Sequence, residues 1–166
     1  VALGFMDLVS IKFRSTESIA LMTIIFAVVL YVSDVRKKTE YGNLKSISIY
    51  TLIFIGLMQT LAIIPGVSRS GIVITAALFA NFSREDSIRI AFLLSIPAIF
   101  MATVYESVQL YELGSYHLLY EHLLGVILSF LASYATIHFF FKTINRISFT
   151  PYIVYRLLLG FILLGF

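Results

Sequence analysis

No cysteine occurs among the 166 residues. Disulfides and thiolate chemistry are therefore excluded, and the redox compartment is not readable from the chain. Charge is scarce as well. Only 13% of residues are Asp, Glu, Lys or Arg, against a hydrophobic share of 60% and a mean hydropathy of +0.97. A soluble domain of this size needs far more polar surface than that supplies. No basic, polar stretch is long enough to follow a nucleic-acid backbone, so nucleic acid is excluded as a partner, and the net charge of +3 speaks to membrane topology instead. The phosphate-binding pattern GxxxxGK[ST] is missing, which removes the P-loop enzymes.

What the chain does contain is apolar helix. Several runs approach the roughly 20 residues that cross a bilayer, so the expectation is an all-α integral membrane protein, a polytopic helical bundle forming a single membrane domain over 1–166. Spans are expected at 19–32, 47–64, 83–105, 123–141 and 152–166, with a shorter apolar piece at 72–82. The opening "VALGF" reads as the end of a span already under way, so the chain is expected to be an N-terminally truncated fragment. Ser83 with Asp86 three residues on has the spacing of a capping box, and Pro97 predicts a kink.

Loops 34–46, 83–89 and 142–150 are basic, hence cytoplasmic, whereas 106–122 carries three glutamates and no Lys or Arg, hence external. Segments 47–64 and 72–82 break this alternation unless they enter and return on one side. Eleven helical residues rise only about 16 Å, half a hydrocarbon core. The expectation is a re-entrant helix–loop–helix over about 47–82, tipped by "PGVSRSG" (65–71) and lining a cavity, because irregular backbone at membrane depth needs one.

At that tip Pro65 ends the incoming helix, and Gly66 and Gly71 allow backbone that other residues avoid. Ser68 or Ser70 is placed to cap the outgoing helix, whose free amides would face the cavity. Arg69 adds a planar fork of donors. Hydroxyls, amides and one arginine make an anion site, most naturally for phosphate. Burying an arginine costs about 2.5–3.5 kcal/mol even on the mildest membrane scales. The competing reading, that Arg69 snorkels or pairs with a glutamate, fits less well, because Arg69 sits at the helix break and not at the membrane edge. "SRSG" is not followed by the histidine that PAP2-type lipid phosphatases require, and the missing cysteine excludes cysteine phosphatases.

Elsewhere the functional signals are weaker. Gln59 lies inside a span and either positions the site or bonds across helices. Arg156 is read as snorkelling to the cytoplasmic face. His117, Glu121 and His122 are read as a solvated external loop and not as a metal site, and His138 as an interface or packed histidine. Arg84, Glu85, Asp86 and Arg89 are read as a cytoplasmic cap. The ten tyrosines and fifteen phenylalanines suit lipid contact and interface belts.

The stretch "GLMQTLAIIPGVSRSGIVIT" (56–75) resembles the second signature, PGxSRSxxT, of the undecaprenyl-diphosphate phosphatases of the BacA/UppP type. "FSREDSIRIAFLLSIPAI" (82–99) resembles the family's next segment, and "PYIVYRLLLG" (151–160) its closing one. The resemblance implies a bacterial plasma-membrane hydrolase that converts undecaprenyl diphosphate to undecaprenyl phosphate. It also implies a part in recycling the carrier of peptidoglycan synthesis and in bacitracin resistance. The fold it implies is one half of an inverted repeat, with the site open to the outer face. Partners would be the prenyl diphosphate lipid and membrane lipid, with a homodimer left open.

Matched position by position, Arg69, Ser68 and Ser70 would be catalytic, and Pro65, Gly66, Gly71 and Gln59 would bind substrate. A divalent cation, Mg²⁺ or Ca²⁺, is implied, with ligands mostly outside this chain and none expected within it. The family's Glu-rich first signature, with its Ser-Ser and nearby His, is not in this sequence, so this chain is expected to hold half an active site. The family threonine falls at Val73, and Thr75 lies about 200° further round a helix. The functional alternative is a transporter or flippase using the same broken-helix anion site.

Overall fold

A computed structural model of the chain describes residues 15–36, 42, 44–112, 119–144 and 148–165. Within them lie six α-helices: α1 (Thr16–Val35), α2 (Ile49–Thr60), α3 (Arg69–Phe79), α4 (Arg84–Glu112), α5 (Leu119–Ile144) and α6 (Thr150–Leu164). Turns of 3₁₀ helix occupy Leu44–Ser46 and Leu61–Ile63. Thr16–Val35, Arg84–Gln109 and Leu123–Lys142 are long and apolar enough to cross a membrane. The chain is thus a helical membrane protein with several spanning segments.

Local chemistry sets the helix ends. Ser15 caps α1 by accepting from the Ser18 amide at 3.2 Å, so the helix does extend through its Ser/Thr flank. Ser83 accepts the Asp86 amide at 3.0 Å and donates to the Asp86 carboxylate at 2.9 Å, the reciprocal cap its spacing predicts. At the end of α3 the Phe82 amide reaches the Ala77 carbonyl and the Asn81 amide reaches Leu78, both at 3.0 Å, with Asn81 at φ 66°. This is a Schellman stop with asparagine in the left-handed position and an apolar Phe82 tucked beneath it.

Two boundaries differ from expectation. α4 runs through Pro97 to Glu112, seven residues past Tyr105. A proline removes one amide, but an unravelled backbone in hydrocarbon would leave many groups unpaired. The outer loop expected over 106–122 accordingly shrinks, with 106–112 in α4 and 119–122 in α5. His117 lies outside the described residues, as do the side chains of Glu121 and His122.

Packing centres on α3. Gly71 to Leu78 are buried without interruption, so this helix is apolar all round and covered all round. Around it lie Ala27 and Leu30 of α1, Ile55 of α2, Ile88 and Ala91 of α4, and Ile153 of α6. α1 makes its most extensive contact with α6. They close up where Gly160 meets Ala20 and Ile24, a small-residue crossing of the kind that lets membrane helices approach. α5 is the loosest element. No residue of its membrane-length segment is fully buried, and its hold on α4 includes the half-buried Phe140 and Phe141 set edge-on to Phe92 at centroid distances of 6.5 and 5.7 Å. His138 is exposed on α5, which leaves the interface reading of it and removes the packed one.

α2 and α3, of 12 and 11 residues, pack on each other and are joined by a short turn. Each is far below the roughly 20 residues of a span, so they form the helix–loop–helix expected at 47–82. At one end of the bundle Arg84 grips Asp34 through two bonds, at 2.6 and 3.0 Å. Arg89 pairs with Glu85 one helical turn away. The charged cluster read from "SREDSIR" is thus a cap, tied to α1 by a carboxylate the sequence did not single out.

Candidate active site

The tip is built by steric necessity before any chemistry enters. Proline pushes the preceding residue into extended backbone, and Ile64 sits at φ −74°, ψ 123°. Gly66 follows at φ +92°, and the Val67 amide closes the turn on the Ile64 carbonyl at 3.1 Å. Pro65 and Gly66 are therefore the two central residues of a type II turn, which needs positive φ at its second centre. A Cβ on Gly66 would also lie 2.5 Å from the Ile19 carbonyl oxygen and 3.0 Å from Met22 Cβ. Only glycine satisfies both the turn and the close approach to α1.

The turn delivers Ser68 to the N-cap of α3, one of the two serines the sequence allowed. Its Oγ accepts the Gly71 amide at 3.2 Å. The Arg69 and Ser70 amides occupy the first two helical positions, which have no intrahelical acceptor. Ser70 Oγ lies 3.4 Å from Ser68 Oγ. The Tyr152 hydroxyl of α6 donates to Ser68 Oγ at 3.0 Å. Three hydroxyls thus gather at a helix start.

Arg156 overturns its sequence reading. It does not snorkel: it is 5% exposed and donates to the Gly66 carbonyl at 2.7 Å. Its guanidinium also lies 5.9 Å from the centroid of the Tyr152 ring. A Cβ on Gly71 would come within 3.3 Å of its Nη1, so Gly71 makes room for the arginine beneath the first turn of α3. The physical reason is an unpaired carbonyl. The Gly66 oxygen points into the bundle, where its other donor is Thr23 at 3.3 Å, a hydroxyl whose main bond goes to Ile19 at 2.7 Å. A buried carbonyl so poorly satisfied outbids the membrane surface for the guanidinium. Among the described residues no carboxylate pairs with Arg156. Its positive charge lies buried beside the positive end of a helix.

Arg69 is exposed, with no partner among the described residues. It lines a cavity of about 660 Å³ with Gln59, Thr60 and Pro97. The buried Oε1 of Gln59 has no hydrogen-bond partner among the described residues. Ser70, Gly71 and Tyr152 instead line a largely apolar cavity of about 580 Å³ together with Phe92, Ile99 and Ile137. The structure thus joins Ser68, Ser70 and Tyr152, and places Arg69 with Gln59 on the opposite side of the tip. Thr75 does not replace the hydroxyl missing at Val73. It is buried and donates to the Gly71 carbonyl at 2.7 Å.

The donor set of the tip, hydroxyls, amides and guanidinium, fits an oxyanion and does not fit a divalent cation. No group of three or more His, Asp or Glu gathers among the described residues. Tyr152 and Arg156 were not assigned to the site from sequence, although their i, i+4 spacing on "PYIVYRLLLG" places them on one helix face.

Comparison with known proteins places these features in a wider setting. The family model described as "Bacitracin resistance protein BacA" matches residues 1–162. The chain is 45% identical over 159 residues to an undecaprenyl-diphosphatase of Teredinibacter turnerae, covering 96% of this chain and 60% of that protein. It is 43% identical over 166 residues to one of Alcanivorax borkumensis, covering 99% and 62%. One of Campylobacter curvus is 43% identical over 164 residues, covering 98% and 61%. The chain therefore spans about three-fifths of the length of the curated relatives it matches.

Proposed function

Since the chain belongs to the bacitracin resistance protein BacA family, we propose that it carries the phosphate-binding part of a membrane undecaprenyl-diphosphatase. The observation that carries this reading is the tip itself: an unpaired arginine, two serine hydroxyls and free helix-start amides held on a type II turn. In the reaction water attacks the terminal phosphorus and the bond to the bridging oxygen breaks. Prenyl monophosphate and orthophosphate result. Arg69 grips the diphosphate and offsets charge on the equatorial oxygens as that bond lengthens. Ser68 and Ser70 donate to phosphate oxygens from the other side of the tip, and Gln59 lines the cavity that Arg69 faces, where it binds substrate. Pro65, Gly66 and Gly71 hold the backbone so that the amides reach the substrate.

The protein would act in the bacterial plasma membrane, with the tip open to the outer face and the chain forming one half of an inverted repeat. Its product would return the lipid carrier to peptidoglycan synthesis, and the same turnover would give bacitracin resistance. A divalent cation, if used, would be held by carboxylates away from the tip, mostly outside this chain, and no step here passes through one. The test is phosphate release from a prenyl diphosphate in detergent micelles, with Mg²⁺ or Ca²⁺ supplied. Arg69→Ala is expected to lower kcat/KM by about 10² or more, the scale of losing a preorganised transition-state donor. Near-normal turnover by that variant, or transport of the lipid without phosphate release, would overturn the reading.

A further inference from the structure

We propose that Tyr152 is a positioning residue that fixes Ser68 as a hydrogen-bond donor to the bound phosphate, a role that rests on the phosphate reading of the tip. A serine hydroxyl has one proton to give and two lone pairs to receive with. Ser68 Oγ receives the Gly71 amide at 3.2 Å and the Tyr152 hydroxyl at 3.0 Å. Both lone pairs are engaged, and the proton is the group left over. Its one acceptor in reach, Ser70 Oγ, is 3.4 Å away, beyond the usual range of about 2.5–3.0 Å for a hydroxyl pair. That proton is available to an incoming oxygen. Phosphate oxygens are acceptors, so a hydroxyl already set as a donor meets them without the rotational freedom that a free one would lose on binding.

Ser68 is thereby also disqualified as the attacking group. A nucleophile needs a free lone pair and a base to take its proton, and Ser68 has both lone pairs occupied and no carboxylate or imidazole among its described partners. Tyr152 is carried to Ser68 on the same face of α6 as Arg156, whose guanidinium lies 5.9 Å from the ring centroid and is bonded to the Gly66 carbonyl. One face of α6 therefore grips the tip on both sides of Val67, by the Gly66 carbonyl before it and the Ser68 hydroxyl after it.

The experiment is a double-mutant cycle on the affinity of the purified, micelle-embedded protein for inorganic diphosphate. Tyr152→Phe keeps the ring and removes only the hydroxyl. Ser68→Gly removes the serine hydroxyl while leaving a residue that helix N-caps tolerate within a few tenths of a kcal/mol. Each variant is expected to weaken binding about tenfold, and the double variant no more than the worse single one, because Tyr152 acts through Ser68. Ser68→Thr, which keeps hydroxyl and cap, stays within about threefold of wild type. An unchanged Tyr152→Phe, a double variant weakened about a hundredfold as independent losses multiply, or a wild type that does not bind diphosphate overturns the proposal. Phosphate release from a prenyl diphosphate is scored separately. Coupled binding without release sinks the enzymatic reading alone, and release with an additive cycle sinks the role of Tyr152 alone.

Discussion

Arg156 contributes in two separable ways, through a bond to the Gly66 carbonyl and through a buried positive charge. A hydrogen bond from a charged donor is worth about 1.5–3 kcal/mol, yet a buried charge without a counter-ion costs several. Stability and affinity should therefore part company on substitution. Arg156→Met is expected to weaken inorganic diphosphate binding more than tenfold, and Arg156→Lys, which keeps the charge, by less than about threefold. Titration calorimetry of both variants separates the effects, and equal losses would show that shape rather than charge matters. The sequence misled at this residue because its position near the start of the last span fits a snorkelling arginine as well as a buried one. What decided between them was the Gly66 carbonyl, ninety residues away. The place of Arg69 at the helix break was legible for the opposite reason: its surroundings, a proline, two glycines and two serines, are its own chain neighbours.

The short pair α2–α3 was readable as an element, because its length, its charge context and its helix breakers all lie within one stretch of chain. Ser68 as cap, Asn81 as stop and Ser83 as the next cap are likewise local devices. The far end of α4 was misread, because three glutamates and no Lys or Arg over 106–122 suggested a loop while the demand for internal hydrogen bonds carried the helix on to Glu112. The weak point of the α2–α3 element is Gly66. Gly66→Ala must adopt positive φ at a cost of about 1–3 kcal/mol and force its methyl against the Ile19 carbonyl and Met22. Crowding adds about 1–3 kcal/mol more. The expected outcome is a loss of about 2–6 kcal/mol in micellar unfolding. Diphosphate binding should fail with it, since the turn also carries the carbonyl that Arg156 holds. An unaltered unfolding midpoint would show that the turn relaxes without cost.

Among the described residues, polar bonds of long sequence separation join elements far apart in the chain: Asp34 to Arg84, Gly66 to Arg156 and to Thr23, Ser68 to Tyr152, and Gly42 to Asn81. No periodicity in the chain announces such pairs, which is why the helices could be read in advance and their mutual arrangement could not. Asp34 is buried, with 3% of its side chain exposed, while Arg84 is 41% exposed. Asp34→Asn should cost about 1–2 kcal/mol, less than a fully enclosed pair would. Raised ionic strength should narrow the difference between wild type and variant only slightly if burial protects the carboxylate. A stability gap that vanishes in salt would assign the pair to the surface. The grip of α6 on the tip has a consequence for the bilayer. Neither α2 nor α3 reaches across the hydrocarbon, so the tip takes its depth from the spanning α1, which packs against Gly66 and against α6, and not from its own contacts with lipid. When membranes of different thickness tilt the long helices, the tip should ride with them as a fixed mark on a ruler. The distance from headgroup to site then becomes a property of the fold more than of the membrane around it.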